Sequence, residues 1–145
     1  MRISDVLRVK GTQVVTVTPD TRVRRLLAVL AEHRIGAVVV SHDGTAVDGI
    51  ASERDIVRAL AQRGAAVMSE PVTRIYTAEV HTVTPQTSIE EARTAMKDRR
   101  IRHLPVVDGE GHLLGLVSIG DLNAFEAASR EETIFWMHEY LYGRV

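Results

Sequence analysis

The sequence predicts an α/β (α+β) protein in which two β-α-β-β-α repeats pack as a pseudo-twofold pair, followed by a C-terminal amphipathic helix. First, the chain matches itself at an offset of 66 residues. Second, strand-like runs and helix-periodic runs alternate in each copy. Third, 145 residues that are 45% hydrophobic and 26% charged can bury a core without disulfide bonds.

The duplication is visible because TVTP at residues 16–19 recurs at residues 82–85. Turn-forming, apolar and polar positions then recur in the same order without a gap, which chance identity at one offset does not produce. The recurring small and polar residues are Gly49, Ser52 and Asp55 in the first copy and Gly115, Ser118 and Asp121 in the second. We therefore divide the chain into repeat one (1–66), repeat two (67–127) and a C-terminal helix or tail (128–145).

Each repeat begins with a short extended segment, residues 14–18 or 80–84, which ends at a proline that cannot continue a strand ladder. A helix follows. In repeat two, Thr87 with Glu90 three residues later predicts a capping box at the start of this helix. The predicted buried stripes are Val23, Leu26, Leu27 and Leu30 in the first copy, and Ile89, Ala92 and Met96 in the second.

Two β-rich runs come next in each repeat, at 37–40 and 47–51 and at 104–107 and 113–117. Turn-forming Asp-Gly sequences separate the two runs, as in hairpins. A second helix begins at Ser52 or at Ser118. Each unit would leave helix faces exposed by itself, so the two are expected to pack together.

The C-terminal residues 126–142 lie outside the repeat and contain four aromatic residues. Ile134, Met137 and Leu141 follow a helical stripe, which predicts an amphipathic helix. Two interpretations stay open for this helix: packing on its own chain, or contact with another subunit.

Composition excludes several classes of function. Eighteen Lys and Arg residues balance nineteen Asp and Glu residues, so no global basic surface exists and nucleic acid is not an expected partner. No cysteine is present, which excludes thiol catalysis and thiolate metal sites. No signal peptide is visible and no apolar run approaches the roughly 20 residues of a membrane helix, so we expect a cytoplasmic protein with no membrane contact. No catalytic constellation or metal-ligand spacing was found, so neither an enzyme nor a metal site is predicted.

Three segments carry a family resemblance: GIASERD at 49–55, GLVSIGD at 115–121 and IRHLPVVD at 101–108. They resemble the motifs of tandem CBS domains, named after cystathionine β-synthase. The resemblance implies a regulatory module that holds an adenine nucleotide (AMP, ADP or ATP, with NAD and S-adenosylmethionine as alternatives) in clefts between the copies. It also implies a homodimer, and regulation would require a target protein that the sequence does not identify. The alternative is a structural or protein-interaction protein whose clefts stay empty.

The chemistry of the motif residues suits such a ligand. A helix N-terminus offers free backbone N–H groups to phosphate, and Ser52 and Ser118 stand where a strand turns into a helix. Asp55 and Asp121 lie one turn further on, where a carboxylate can accept both hydroxyls of a ribose. Arg54 could hold phosphate oxygens with two N–H groups. Ser-x-x-Asp is also a plain N-capping arrangement, and this alternative stays open.

The resemblance adds further candidates. It places Arg102 and His103 at phosphate-contacting positions, although cations at a helix C-terminus are an equally ordinary arrangement. Repeat one has Gly36 and Ala37 at these positions, which predicts unequal sites. The remaining candidates are Thr12 and Ala78 beside the adenine, and Gly120, which would let a ligand approach the backbone.

Overall fold

A computed structural model describes residues 1–128 and 141–142. The helices are α1 (Ile3–Lys10), α2 (Val23–His33), α3 (Glu53–Arg63), α4 (Ile89–Arg99) and α5 (Ile119–Ala128), and the strands are β1 (Thr16–Val17), β2 (Ala37–Val40), β3 (Gly49–Ser52), β4 (His103–Val107) and β5 (Leu113–Ser118). Short 3₁₀ helices at Ala65–Ser69 and Val72–Arg74 join the repeats. This order confirms the predicted α/β class. Apart from 141–142, the residues carrying the predicted apolar stripe of the C-terminal helix lie outside the described residues.

Each repeat forms its own small sheet. In the first, β1 runs parallel to β2, and β2 pairs antiparallel with β3 so that Val39 lies opposite Ile50. In the second, β4 and β5 form an antiparallel hairpin. The extended segment predicted at 80–84 is reduced to one parallel bridge between Val83 and Val106. The hairpins were predictable because the Asp-Gly turns are local signals.

The helices bury their apolar faces against these sheets. Val23 and Leu26 of α2 are fully buried, as the helical spacing predicts. The prediction that Leu27 is buried in the same stripe was wrong, because 43% of Leu27 is exposed and it does not belong to the core. The core of the first unit contains Val17, Val23, Leu26, Val29, Leu30, Val38, Val40, Ala51, Ile56 and Val72.

Helix α1 was not predicted, and it completes the core of the second unit. Ile3 is fully buried there, and Val6 and Leu7 lie beside it. The backbone N–H of Ile3 donates to the carbonyl of Thr87 at 2.9 Å, which fixes the start of the helix. Gly115 in β5 has no side chain because Leu7 occupies that space. The first residues of the chain therefore pack with the second repeat.

The segment that joins the repeats packs on the first unit, whereas the first residues of the chain pack on the second. Val72 is fully buried in that core, and Tyr76 packs against it. The Tyr76 ring lies directly against the Cα of Gly49, where any Cβ would clash. Ile50 and Thr77 exchange two backbone hydrogen bonds, 3.0 and 2.9 Å long. The first segment of each repeat is thus held by the core of the other unit, and this exchange interlocks the pair.

The cap of α4 differs by one residue from the prediction. Ser88, rather than Thr87, is the N-cap, and its Oγ accepts a hydrogen bond from the backbone N–H of Glu91 at 3.0 Å. Thr87 Oγ1 instead accepts from the N–H of Thr84 at 3.1 Å, inside the turn before the helix. Both residue types cap helices well, so the sequence alone did not separate them.

Candidate functional site

A cleft of about 670 Å³ lies between the two units. It is bounded by the junction of β3 and α3, the segment 77–81, the segment 99–103 and the start of α5. Most of the predicted site residues line it, although they come from both repeats. These residues are Gly36, Ala37, Ser52, Arg54, Asp55, Arg102, His103, Ser118 and Gly120.

The other three predicted residues lie outside this cleft lining. Thr12 is exposed in the loop after α1, and Ala78 is exposed although its neighbours Thr77 and Glu79 line the cleft. Asp121 directly follows Gly120 in α5 but is not among the residues that line the cleft. The candidates are therefore not divided into two equivalent clefts in this structure.

At the start of α3, Ser52 and Asp55 form a reciprocal cap. The Ser52 Oγ accepts from the Asp55 N–H at 3.3 Å, and Asp55 Oδ2 accepts from the Ser52 N–H at 2.8 Å and its hydroxyl at 3.0 Å. Both hydrogen bonds to the carboxylate use the same oxygen. Since Oδ1 takes part in neither of them, Asp55 can cap the helix and accept a hydrogen bond from a ligand at the same time.

The equivalent carboxylate on α5 has an additional cationic partner. Asp121 Oδ2 accepts from the Ser118 N–H at 2.8 Å and from Lys10 Nζ at 2.5 Å. The same ammonium donates to the carbonyl of Leu116 at 2.5 Å. Only 14% of the Asp121 side chain is exposed. At the position 66 residues after Lys10 the chain has Tyr76, which packs on the first core. Helix α1 thus makes the two Ser-x-x-Asp sites unequal.

The cleft has an excess of positive charge. Its guanidinium groups belong to Arg54, Arg58, Arg99, Arg100 and Arg102. Its carboxylates belong to Glu53, Asp55 and Glu79. Because arginine holds phosphate oxygens with two N–H groups, this lining favours a ligand with several negative charges.

Sequence reasoning did not single out Arg58 as a site residue, and within the segment 77–81 it singled out only Ala78, whose neighbours line the cleft instead. Arg58 follows Arg54 by one helical turn, so the two side chains share a face of α3. The 66-residue offset relates residues 77–81 to residues 11–15. A comparison of these two segments was the sequence signal that could have identified 77–81 as part of the site.

Two histidines in the cleft have lowered pKa values. Burial is the main cause for His103, the Lys10 and Arg102 charges act in the same direction, and Asp121 opposes them. Burial and then the Arg99 charge lower the pKa of His81. Both rings are therefore neutral at neutral pH, and an anion bound beside them would favour their protonation.

We expect the burial of His103 to make stability depend on pH. Its pKa lies below the ordinary value of 6.5 in the folded chain, so the unfolded chain binds this proton more readily. The free energy of unfolding should therefore fall as the pH drops below 6.5. Urea unfolding of the wild type and His103→Gln at about pH 7.5 and about pH 5.5 measures this, and the variant should lose less. An equal loss in both proteins would contradict the assignment to His103.

Among residues 1–128 and 141–142, no helix is long and apolar enough to cross a membrane. The same part of the chain contains no group of three or more His, Asp or Glu residues that could hold a metal ion.

Comparison with known proteins shows the family. The CBS domain model matches residues 3–62 and 66–127. The chain is 35% identical to the mitochondrial CBS domain-containing protein CBSX3 of Arabidopsis thaliana, over 97% of this chain and 72% of that protein.

Solved structures agree with this match. The CBS-domain protein ATU1752 from Agrobacterium tumefaciens has a TM-score of 0.83 and 38% identity, covering 87% of this chain and 99% of that one. The CBS domain protein PAE2072 from Pyrobaculum aerophilum, solved in complex with AMP, has a TM-score of 0.74 and 31% identity, covering 83% and 89%. The two interlocked units and their paired Ser-x-x-Asp helix starts are therefore a tandem pair of CBS domains, and the chain belongs to the CBS domain family.

Proposed function

We propose that this protein is a non-enzymatic regulatory module that binds an adenine nucleotide in the cleft between its two CBS domains. One observation carries the proposal: the capped start of α3, with Ser52 and Asp55, lines the same cleft as the arginines of segment 99–103. An acceptor for ribose hydroxyls and donors for phosphate are thereby brought into one cavity. The AMP complex of PAE2072 supports the choice of ligand class.

The proposed roles follow from the chemistry of each group. Asp55 accepts the ribose hydroxyls, and Ser52 adds a hydroxyl beside it. Phosphate oxygens take N–H donors from Arg102 and from the backbone at Gly120, and the Ser118 hydroxyl lies beside them in the cleft lining. Gly36 and Ala37 also line this cleft and contribute little side-chain volume to it.

The charge of the cleft favours phosphate-bearing ligands. AMP, ADP, ATP and NAD all carry phosphate, whereas S-adenosylmethionine carries a sulfonium cation and no phosphate. Five guanidinium groups against three carboxylates would repel a cation. We therefore rank the phosphate-bearing nucleotides above S-adenosylmethionine for this chain.

The two Ser-x-x-Asp sites are proposed to differ in affinity. A ribose at Asp121 would share that carboxylate with Lys10, whose ammonium already donates to Oδ2 at 2.5 Å and weakens it as an acceptor. Asp55 accepts its two hydrogen bonds from Ser52, within its own cap. The cleft that contains Asp55 is therefore the primary site in this proposal.

Thermal unfolding with a nucleotide panel tests the function. A ligand that binds only the folded chain stabilises it by about 2.7 kcal/mol at a hundredfold excess over Kd. For a chain of this size, that corresponds to a rise in Tm of about 5–10 °C. AMP, ADP, ATP and NAD are compared with S-adenosylmethionine and with inorganic phosphate, which controls for charge alone. No shift with any nucleotide at millimolar concentration would overturn the proposal and favour a protein-interaction role with empty clefts.

Regulation requires that the nucleotide alters a state that another molecule detects. A bound ligand shifts such an equilibrium only by its difference in affinity for the two states. We propose a homodimer as the assembly, a target protein as the recipient of the signal and the cytoplasm as the location. The exposed apolar side chains on α2 and α3 support the assembly.

A further inference from the structure

His103 lies in the cleft where the two units face each other. It is the first residue of β4, and it stands opposite Ser118 of β5 in the hairpin register. Its ring reaches the first unit, because a Cβ on Gly36 would lie 3.7 Å from both Cε1 and Nε2 of the ring. The nitrogen Nε2 is thus held between the two units, in a cavity that both of them line.

The ring of His103 is available to take up a proton. Within residues 1–128 and 141–142, neither ring nitrogen has a hydrogen-bond partner. His42 shows the contrast, since its Nδ1 lies 2.6 Å from Asp48 Oδ2 and is committed to that carboxylate. A proton added to His103 therefore breaks no existing hydrogen bond, and the new N–H can donate to a ligand.

Charged groups from several parts of the second unit face this ring. Lys10 at the end of α1 and Arg102, which precedes His103 in the chain, oppose a positive charge on the ring, whereas Asp121 of α5 favours one. Asp121 is already engaged by the Lys10 ammonium at 2.5 Å. The second unit thus presents more positive than negative charge to the ring, so protonation is unfavourable until an anion arrives.

The first unit and the rest of the cleft contribute both signs of charge. Glu53 at the start of α3 approaches the same space beside Gly36, with Oε1 3.4 Å from where the Cβ would lie. A protonated His103 would therefore share this space with a carboxylate of the other unit. The rest of the charged lining comes from α3 and the segments 77–81 and 99–103, and includes Arg54, Asp55, Arg58, Glu79, Arg99 and Arg100.

The cleft contains a second histidine in a different setting. His81 lies on the segment 77–81, and it also borders a groove beside Arg99 that three carboxylates of α4 line, those of Glu90, Glu91 and Asp98. His103, by contrast, is the chain neighbour of Arg102 and the strand partner of Ser118, both of which belong to the proposed phosphate contacts. The response to phosphate is therefore assigned to His103.

We propose that His103 takes up a proton when the phosphate of a nucleotide enters the cleft, so that this protein binds its ligand more tightly as the pH falls. This inference rests on the proposed function and adds a second input to it. The proton comes from the solvent, no covalent bond between heavy atoms changes, and the protonated ring donates to a phosphate oxygen. Its positive charge also faces Glu53, which adds an attraction between the two units in the liganded state.

The direction of the pH dependence follows from the linkage between proton and ligand. In the free chain, burial and then the Lys10 and Arg102 charges lower the pKa of His103 below 6.5. A phosphate beside the ring raises that pKa, so the complex keeps the proton at pH values where the free chain has lost it. Affinity therefore rises as the pH falls through this range, and it levels off where the free chain is protonated as well.

Calorimetric titration of the full chain with AMP at about pH 7 is the first test. Repeating it in two phosphate-free buffers of different ionisation enthalpy counts the protons taken up. We expect the wild type to take up at least about 0.3 proton per AMP more than His103→Gln. A phosphate monoester itself titrates at about pH 6, and comparing the two proteins with one ligand cancels that contribution.

The pH dependence of Kd is the second test. From about pH 8 to about pH 6, the Kd of the wild type should fall about 3- to 10-fold relative to that of His103→Gln. His112→Gln is the matched control, since His112 lies near the turn at the opposite end of the β4–β5 hairpin and does not line the cleft. It should behave as the wild type in both tests.

The outcomes separate this inference from the proposed function. Equal proton uptake in the wild type and His103→Gln would overturn the inference, as would a loss of uptake confined to His81→Gln. If His103→Gln does not fold or does not bind AMP, the wild type with NAD decides, because phosphodiesters do not titrate in this range and binding without uptake contradicts the inference. Failure of both AMP and NAD to bind the wild type would overturn the proposed function together with this inference.

Discussion

Replacing Ile3 by alanine is expected to lower the free energy of unfolding by about 2–5 kcal/mol. Ile3 is fully buried in the core of the second unit, among residues that begin 80 positions later in the chain. Its truncation leaves a cavity that the surrounding side chains fill only in part. Urea unfolding monitored by circular dichroism measures the loss.

Gln13→Ala is the control for Ile3→Ala. Gln13 lies in the loop after α1 and is exposed, so its substitution should change stability by less than about 0.5 kcal/mol. If Ile3→Ala is as mild as Gln13→Ala, α1 does not dock on the second unit. The interlocked arrangement of the two repeats would then be wrong.

Replacing Asp55 by alanine is expected to weaken nucleotide binding about 10- to 100-fold, because a charged acceptor of hydrogen bonds is removed. Asp121→Ala is the comparison variant, since Asp121 accepts the equivalent backbone hydrogen bond from Ser118, although this change also removes the ion pair with Lys10. Both variants lose a helix cap, whereas only Asp55 lines the large cleft. Calorimetric titration with the nucleotide that stabilises the wild type measures the difference.

Equal losses in Asp55→Ala and Asp121→Ala would contradict the choice of the Asp55 cleft as the primary site. A loss confined to Asp121→Ala would reverse the assignment. Unchanged affinity in Asp55→Ala, with the fold intact, would leave Asp55 with a capping role only. Tm values of the two unliganded variants establish how much of each effect comes from the lost cap.

Local features of the sequence predicted much of this molecule. The hairpins follow from Asp-Gly turns between strand-like runs, and the start of α3 follows from Ser52 with Asp55 three residues later. Such signals act within a few residues and do not depend on the rest of the chain. The 66-residue duplication then predicted that two similar units pack as a pair.

The partner of α1 was decided only by the tertiary structure. The spacing of Ile3, Val6 and Leu7 is helical, but nothing in that spacing shows which sheet they cover. The answer depends on contacts with β5 and α5, more than a hundred residues away, including the space that Gly115 leaves for Leu7.

The difference between the Asp55 and Asp121 sites was likewise decided in part by the tertiary structure. The sequence predicted unequal sites from Arg102 and His103, which face Gly36 and Ala37 in the alignment of the repeats. The contact between Lys10 and Asp121 was not predictable, because Lys10 precedes the segments that match at the 66-residue offset and reaches Asp121 only through the docking of α1.

The sequence by itself therefore determined the repeats, their hairpins, the α3 cap and the residue types available for a nucleotide. The tertiary structure decided which of those residues share one cleft, which carboxylate is held by a lysine and which helical face stays apolar. Local signals are set by backbone conformation and hydrogen bonding between near neighbours. Long-range contacts depend on how whole surfaces fit, and a single sequence does not display that fit.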